Sequence, residues 1–238
     1  MYKRAIILAG GKGSRLRPYT VVLPKPLMPV GEYPVLEIII RQLVHHGFDH
    51  ITLTVNHQAD IIRAYFGDGS KWNILIDYSL EDKPLSTMGP LKLINDLPEK
   101  FLVMNGDVLT DLDFAAFYDY HVRNGRIFTI SAHYRTDVSE YGVLETDGDN
   151  QLCNFVEKPR RNYIVSMGVY MAGKEILPHI PEGRTYGFDH LMKDLLAKKQ
   201  PVLVAPHTGY WLDIGRPDDY MQAIDEFEKS RKKFMPWE

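Results

Sequence analysis

Five apolar residues, Ala5 to Ala9, run straight into Gly10-Gly11-Lys12-Gly13-Ser14-Arg15-Leu16-Arg17. A continuous apolar run that is too short for a helix suits a strand covered on both faces, as strands of parallel sheets are. The same unit then recurs. Pro34 opens a helical pattern in which Leu36, Ile39, Ile40 and Leu43 share a face until Gly47 stops it. Ile51 to Val55 reads as a second strand, Ala59 to Gly67 as a second helix and Ile74 to Leu80 as a third strand. Ser86 to Leu97 follows as a third helix with Ser86 as its N-cap, and Phe101 to Asn105 as a fourth strand. Repeated βαβ units predict an α/β protein with a mostly parallel sheet covered by helices.

After a helix over Asp113 to Asn124 the pattern changes. Ile127–Tyr134, Tyr141–Asp147, Leu152–Lys158 and Tyr163–Met171 read as strands, and Asp147-Gly148-Asp149-Asn150 is a hairpin signal between two of them. A helix over Phe188 to Lys199, a strand at Pro201 to Ala205, the segment Gly209 to Pro217 and a last helix from Pro217 to about Lys232 complete the chain. Neither a linker nor an internal repeat divides it, so one domain over 1–238 with a β-rich insertion is expected.

Charge and cysteine usage narrow the function. Lys and Arg number 28 against 31 Asp and Glu, a net charge of −3, so there is no global positive field for nucleic acid or an anionic membrane. Any bound anion must be held by a local cluster. The single cysteine, Cys153, excludes an internal disulfide framework and suits a reducing compartment. With no signal-like or spanning apolar run, a cytoplasmic protein is expected. Phe234 and Trp237, near the end of the chain, suit either a core contact or a surface for a homo-oligomer.

Three glycines in four positions after the first strand let backbone N–H groups approach a ligand closely, and Lys12, Arg15 and Arg17 place cations beside them. That combination suits a polyphosphate. The spacing is neither that of a P-loop nor that of a dinucleotide fingerprint. Lys25, between Pro24 and Pro26, is either a charge held in place by stiff backbone or a solvated residue in a chain-routing turn. Asp107 follows the fourth strand and Asp213 lies in Trp211-Leu212-Asp213-Ile214-Gly215. Ligands of open α/β sheets bind beyond the carboxyl ends of strands, and Mg²⁺ combines one or two carboxylates with substrate phosphates. Glu157-Lys158-Pro159 adds another cation at a strand exit. The histidines lack metal-binding spacing and no G-x-S-x-G motif occurs, so nucleophilic catalysis has little support.

In order along the chain, LAGGKGSRLRP, LPKPLMPVGEYPVLE, NGD, YGVLETD, FVEKP, SMGVY and WLDIGRPDDY together resemble the sugar-1-phosphate nucleotidyltransferases. The resemblance implies a Rossmann-like fold with a β-rich sugar-binding insertion, and the reaction of an NTP with a sugar 1-phosphate to give an NDP-sugar and pyrophosphate. It implies Mg²⁺, for which Mn²⁺ can substitute, held by Asp107 and Asp213. The nucleotide-binding part would span about 1–112, and the sugar-binding and metal-completing part about 113–238. The nucleotide would lie along Leu8, Ala9, Gly10, Gly11, Gly13 and Ser14, with Arg15 and Lys25 on its phosphates. Glu81, Ser86, Thr87, Asn105 and Gly106 would complete its site. Lys158 would contact the sugar phosphate, and Gly142, Glu157, Ser166 and Gly168 would line the sugar pocket, so Arg15, Lys25, Asp107, Lys158 and Asp213 form the expected catalytic set. Only one helix follows the last motif, so the C-terminal β-helix of longer relatives is not expected.

Two departures concern specificity. Ser86 stands where a glycine is usual in the family, and Ser166-Met167-Gly168 replaces an Asn-containing turn. Glu81 matches the base-contacting position. Its carboxylate accepts two parallel hydrogen bonds, which complements the N1–H and N2–H₂ edge of guanine. GTP with mannose 1-phosphate or a related heptose 1-phosphate is the first expectation. Thymidylyl or uridylyl transfer to glucose 1-phosphate is the alternative, and a catalytically silent regulatory subunit is an alternative of another class.

Overall fold

The apolar runs of the first half line up side by side because a strand satisfies its backbone only through neighbouring strands, and those at 5–9, 51–55 and 101–105 are covered on both faces. The structure, a computed structural model, describes residues 2–56 and 58–237. In chain order the elements are β1 (Arg4–Leu8), β2 (Pro29–Val30), β3 (Tyr33–Pro34), α1 (Val35–His45), β4 (His50–Val55), α2 (Ala59–Phe66), β5 (Leu75–Leu80), β6 (Lys100–Asn105) and β7 (Val108–Thr110). They continue with α3 (Phe114–Asn124), β8 (Phe128–Val138), β9 (Val143–Thr146), β10 (Leu152–Val156), β11 (Arg160–Gly173), α4 (Phe188–Ala197), β12 (Val202–His207), β13 (Trp211–Asp213) and α5 (Pro217–Phe234).

Seven strands form one sheet in the order β12-β8-β11-β6-β1-β4-β5. β1 pairs in parallel with β4 and β6, β4 with β5, and β8 with β12, whereas β11 runs antiparallel to both β6 and β8. The sheet is therefore the expected mixed, mostly parallel one. Its two faces carry separate cores. One gathers α1, α3 and α5 through residues such as Leu36, Phe114 and Phe227, and the other gathers Met88, Leu91, Tyr170 and Leu191 beneath α4. Phe234 is fully buried against Tyr210 and Phe227, and Trp237 lies against His45, so the end of the chain packs on the core.

The β-rich insertion is an arm. Beyond the sheet, β8 and β11 continue as a two-stranded ribbon, and the β9–β10 hairpin turns at Asp147 to Asn150, where Asp147 Oδ1 accepts from the N–H groups of Asp149 and Gln151. One expected element differs. Residues 86–97 contain only a short 3-10 turn at Gly89–Leu93, and Ser86 sits at φ 65° instead of capping a helix. The N–H groups of Met88 and Gly89 both donate to the carbonyl of Tyr186, so a tertiary contact takes the donors near the start of the expected helix.

His121 on α3 is fully buried, with Nδ1 2.8 Å from Thr129 Oγ1, and burial pushes its pKa down to about 4. The unfolded imidazole titrates near 6.5, so between these values the unfolded chain binds the extra proton and stability is lost as pH falls. The loss by pH 4 is about 3 kcal/mol. Urea unfolding near pH 7 and near pH 4.5 is expected to differ less for His121→Leu than for the wild type. An equal difference would exclude His121 as the sensor.

Candidate active site

The carboxyl ends of β1, β4, β5 and β6 open onto a cleft of about 460 Å³. Its floor is the glycine loop. Ala9 N–H donates to Thr54 O (2.9 Å), and Asn56 Nδ2 donates to the carbonyl of Gly10, which ties the loop to the end of β4. A Cβ at Gly10 would stand 3.0 Å from Glu81 Oε1 and 3.3 Å from Asn56 Nδ2, so a side chain there would fill the gap between β4 and β5. Gly13 (φ 59°) turns the chain into a 3-10 turn, Ser14–Leu16, which buried Leu16 anchors and which presents Arg15 to the cleft.

The two open readings of Lys25 are resolved. Lys25 starts a 3-10 turn between Pro24 and Pro26, its side chain is 11% exposed, and Nζ is ion-paired with Asp107 Oδ2. The prolines hold a charge in position. Asp107 lies in the β6–β7 turn, where Gly106 N–H donates to Leu8 O (3.0 Å) and a Cβ at Gly106 would crowd that same oxygen at 3.1 Å. β7 pairs antiparallel with β13, placing Asp213 opposite Val108, and Ile214 N–H donates to Asp107 O (3.0 Å). A three-residue strand pair thus brings together carboxylates 106 positions apart in sequence. Burial, then the neighbouring Asp107 charge, pushes the Asp213 pKa up, opposed by Lys25 and Arg15.

A divalent cation fits this pair. Asp107 Oδ1 is buried with no hydrogen-bond partner, and Asp213 faces it with a like charge that a cation would neutralise. No third histidine, cysteine or carboxylate joins them among the described residues, which matches an ion whose remaining ligands are waters and substrate phosphates.

Leu8, Gly10, Gly11, Gly13, Ser14, Arg15, Lys25, Glu81, Ser86, Thr87, Asn105 and Asp107 all line the cleft. Ala9 and Gly106 do not; both are in the supporting backbone. Glu81 is half-buried, its pKa raised by burial against a hydrogen bond from Leu85 N–H to Oε2 (3.0 Å), with Oε1 toward Gly10. Thr87 Oγ1 accepts from Phe188 N–H (2.7 Å), which fixes the Ser86 segment to α4. Sequence reasoning missed Thr54, Asn56, Pro84 and Gly215 as lining residues. Asn56 directly follows β4, so the same strand-end rule that located Asp107 would have found it.

The expected sugar-side residues divide into two groups. Gly168 (φ 74°) and Ser166 lie at the irregularity in β11, and a Cβ at Gly168 would meet Asn105 Nδ2 at 2.6 Å, next to the cleft. Gly168→Ala is expected to displace Asn105 and to cost about 1–2 kcal/mol of stability for the left-handed backbone; a wild-type melting curve and turnover would contradict this. Gly142, Glu157 and Lys158 instead sit on the exposed arm, where a Cβ at Gly142 would contact Phe155 and Glu157. None of the three lines the nucleotide cleft.

A glycine loop, the ion-paired Lys25 with Arg15 beside it, and a carboxylate pair that suits a divalent cation give these strand ends the chemistry to take a polyphosphate. The Nucleotidyl transferase family model matches residues 4–230. The chain belongs to this family. It is 36% identical over 241 residues to a UTP–glucose-1-phosphate uridylyltransferase of Synechocystis sp., covering 93% of this chain and 62% of that protein. It is 31% identical over 229 residues to a mannose-1-phosphate guanylyltransferase of Mycobacterium tuberculosis, covering 92% and 63%. The chain therefore spans under two thirds of the length of these relatives. HddC from Yersinia pseudotuberculosis complexed with GMP-PN superimposes with a TM-score of 0.72 at 31% identity, covering 95% of this chain and 100% of that one. No helix among the described residues is long and apolar enough to cross a membrane.

Proposed function

We propose that the protein transfers a nucleotidyl group from an NTP to a sugar 1-phosphate, releasing pyrophosphate and forming an NDP-sugar. GTP with mannose 1-phosphate or a related heptose 1-phosphate is the preferred pair. The observation that carries this reading is the convergence of the glycine loop, Arg15, the Lys25–Asp107 ion pair and Asp213 at one set of strand ends.

In this reaction a sugar-phosphate oxygen attacks the α-phosphorus in line as pyrophosphate leaves, so anionic groups must be brought together and charge moves toward the leaving oxygens. Backbone N–H groups of the glycine loop orient the phosphates. Lys25 is held at the cleft in advance by Asp107 and Arg15 lines the same cleft, so both cations are placed to stabilise the developing charge. Asp107 and Asp213 would hold Mg²⁺, which supplies charge neutralisation on the phosphates. Glu81 lines the cleft with Oε1 beside Gly10, and a carboxylate at a base-contacting position would favour the donor edge of guanine. The relatives named mannose-1-phosphate guanylyltransferase and the HddC complex with GMP-PN support the same base. The 36% identity to a uridylyltransferase is the observation that favours uridylyl transfer to glucose 1-phosphate as the second reading.

The test is a pyrophosphate-release screen with Mg²⁺ that crosses each NTP with hexose and heptose 1-phosphates. GTP is expected to give the fastest release. Comparable initial rates with UTP would remove guanine specificity, and no release with any pair would favour a silent binding subunit. Ser86→Gly is expected to keep the fold and to relieve about 1 kcal/mol of left-handed strain, read as a higher melting temperature. An unchanged or lower melting temperature would contradict it.

A further inference from the structure

The two carboxylates of the metal pair meet through β7 and β13, three residues each, and a two-stranded ladder of that length is marginal by itself. Its strands are not equally secured. Val108, Leu109 and Thr110 of β7 are all buried, and Gln42 Nε2 on α1 donates to Thr110 O (2.8 Å). Trp211, Leu212 and Asp213 of β13 are only half-buried. Whatever holds β13 in register therefore governs where Asp213 stands.

Beyond the Trp211–Thr110 pair the next rung joins Tyr210 to Asp111, and a side chain closes it. Asp111 N–H donates to Tyr210 O (3.3 Å), and Tyr210 N–H donates to Oδ1 of the same Asp111 (2.7 Å). Thr110 Oγ1 also donates to Tyr210 O (2.8 Å). The same Oδ1 lies 2.8 Å from His207 Nε2 at the end of β12, and because an ionised carboxylate only accepts, Nε2 is the donor. His207 is fixed to the sheet in turn, its carbonyl 3.0 Å from His133 Nδ1 on β8. A Cβ at Gly209 would overlap Asp111 Oδ1 and stand 2.7 Å from His207 Nε2, so the turn from β12 to β13 closes onto the carboxylate only because residue 209 has no side chain. The Asp111 and His207 side chains are 17% and 16% exposed, which leaves water little chance to compete for these bonds.

We infer that Asp111 is a positioning residue for the metal pair: its carboxylate, clamped between Tyr210 and His207, fixes β13 against β7 and so sets where Asp213 stands relative to Asp107. Asp111 does not line the nucleotide cleft and lies four positions beyond Asp107, so it acts through the ladder and not by contact. Cation affinity is sensitive to such placement, because ligands must stay within about 0.5 Å of the productive geometry. The inference rests on the reading that Asp107 and Asp213 hold a divalent cation.

Mn²⁺ uptake by the nucleotide-free protein, read from the loss of the free-ion EPR signal, tests it on the wild type, Asp107→Asn, Asp111→Ala, Asp111→Asn and Gly209→Ala, each at a temperature where circular dichroism shows it folded. Asp111→Ala and Gly209→Ala are expected to weaken Mn²⁺ binding on the order of tenfold, the size that losing an outer support has at metal sites. Asp111→Asn keeps an acceptor for Tyr210 N–H and is expected to stay within about threefold of the wild type. If neither of the first two folds, Thr110→Val, which removes the hydroxyl donor to Tyr210 O, is expected to show a smaller loss of the same sign. Wild-type Mn²⁺ affinity in these variants, with or without a lower melting temperature, would reduce Asp111 to a folding role and overturn the inference. An Asp111→Asn protein that binds as poorly as Asp111→Ala would overturn it too, because charge and not position would then be what counts. If the wild type takes up no Mn²⁺ that Asp107→Asn loses, the metal reading fails and the inference with it; if it does and the Asp111 variants match it, only the role of Asp111 fails.

Discussion

Asp107→Asn is expected to lower turnover on the order of 10²- to 10³-fold while leaving the fold intact. Asp107 serves two functions at one position. Its Oδ2 holds the Lys25 ammonium, and its buried Oδ1 has no partner and faces the neighbourhood of Asp213. Asparagine keeps the volume and one acceptor for Lys25, but it removes the charge that positions the ammonium and half of the carboxylate pair. Alanine would add the loss of that acceptor and leave a cation 11% exposed without its partner, which confounds catalysis with stability. The measurement is the initial rate of pyrophosphate release beside a thermal melt. Wild-type turnover in a folded Asp107→Asn protein would remove Asp107 from the catalytic set. Lys25→Ala is expected to lose a similar factor, because the same contact is broken from the other side.

Arg4→Met is expected to destabilise the protein by about 1–3 kcal/mol, the cost of leaving the buried groups that Arg4 satisfies without a partner, since Asp77 and Asp96 are themselves partly exposed. Arg4 begins β1 at 1% exposure, at the opposite end of the strand from the cleft. Its Nε donates to Thr52 Oγ1 (2.9 Å), one terminal nitrogen reaches Asp77 Oδ2 (3.0 Å), and the other reaches the carbonyl and carboxylate of Asp96 (3.1 and 2.9 Å). His50 Nε2 shares the same Asp77 oxygen at 2.7 Å. Burial pulls the Asp77 pKa up, but contacts from His50 and Thr52 and the charges of His50 and Arg4 outweigh it and hold the pKa below the usual carboxylate value. A folded-state pKa below the unfolded one gives stability that is present above the unfolded pKa and is lost as pH falls through the folded one. Urea unfolding measures the loss, and Arg4→Met/Asp77→Asn is expected to recover part of it because the half-buried Asp77 charge is then gone, while the remaining Asp96 carboxylate is exposed to water. A loss below about 1 kcal/mol in Arg4→Met would show that the network contributes little beyond packing.

The strands of the sheet were readable because a strand buried on both faces is apolar at most of its positions. β1, β4 and β6 each match their runs to within a residue. The third helix was misread because its pattern is local, whereas the carbonyl that claims its N–H groups belongs to Tyr186, about a hundred positions on. Ser86 shows the same limit. As a sequence letter it reads as an N-cap, and only its φ of 65° explains why a glycine is usual there.

Amino-acid order alone determined the class of sheet, the glycine loop and the identity of the charged groups, because composition and periodicity fix what a segment must bury. It could not determine which charges meet. Lys25 reaches Asp107, and Asp213 joins Asp107 through the β7–β13 pairing, whereas Lys158, equally prominent as a motif, is carried away from the cleft on the arm. Those outcomes depend on strand register and turn geometry across a hundred residues or more. Long-range pairing is set by the packing of the whole core, so the tertiary structure alone decides it.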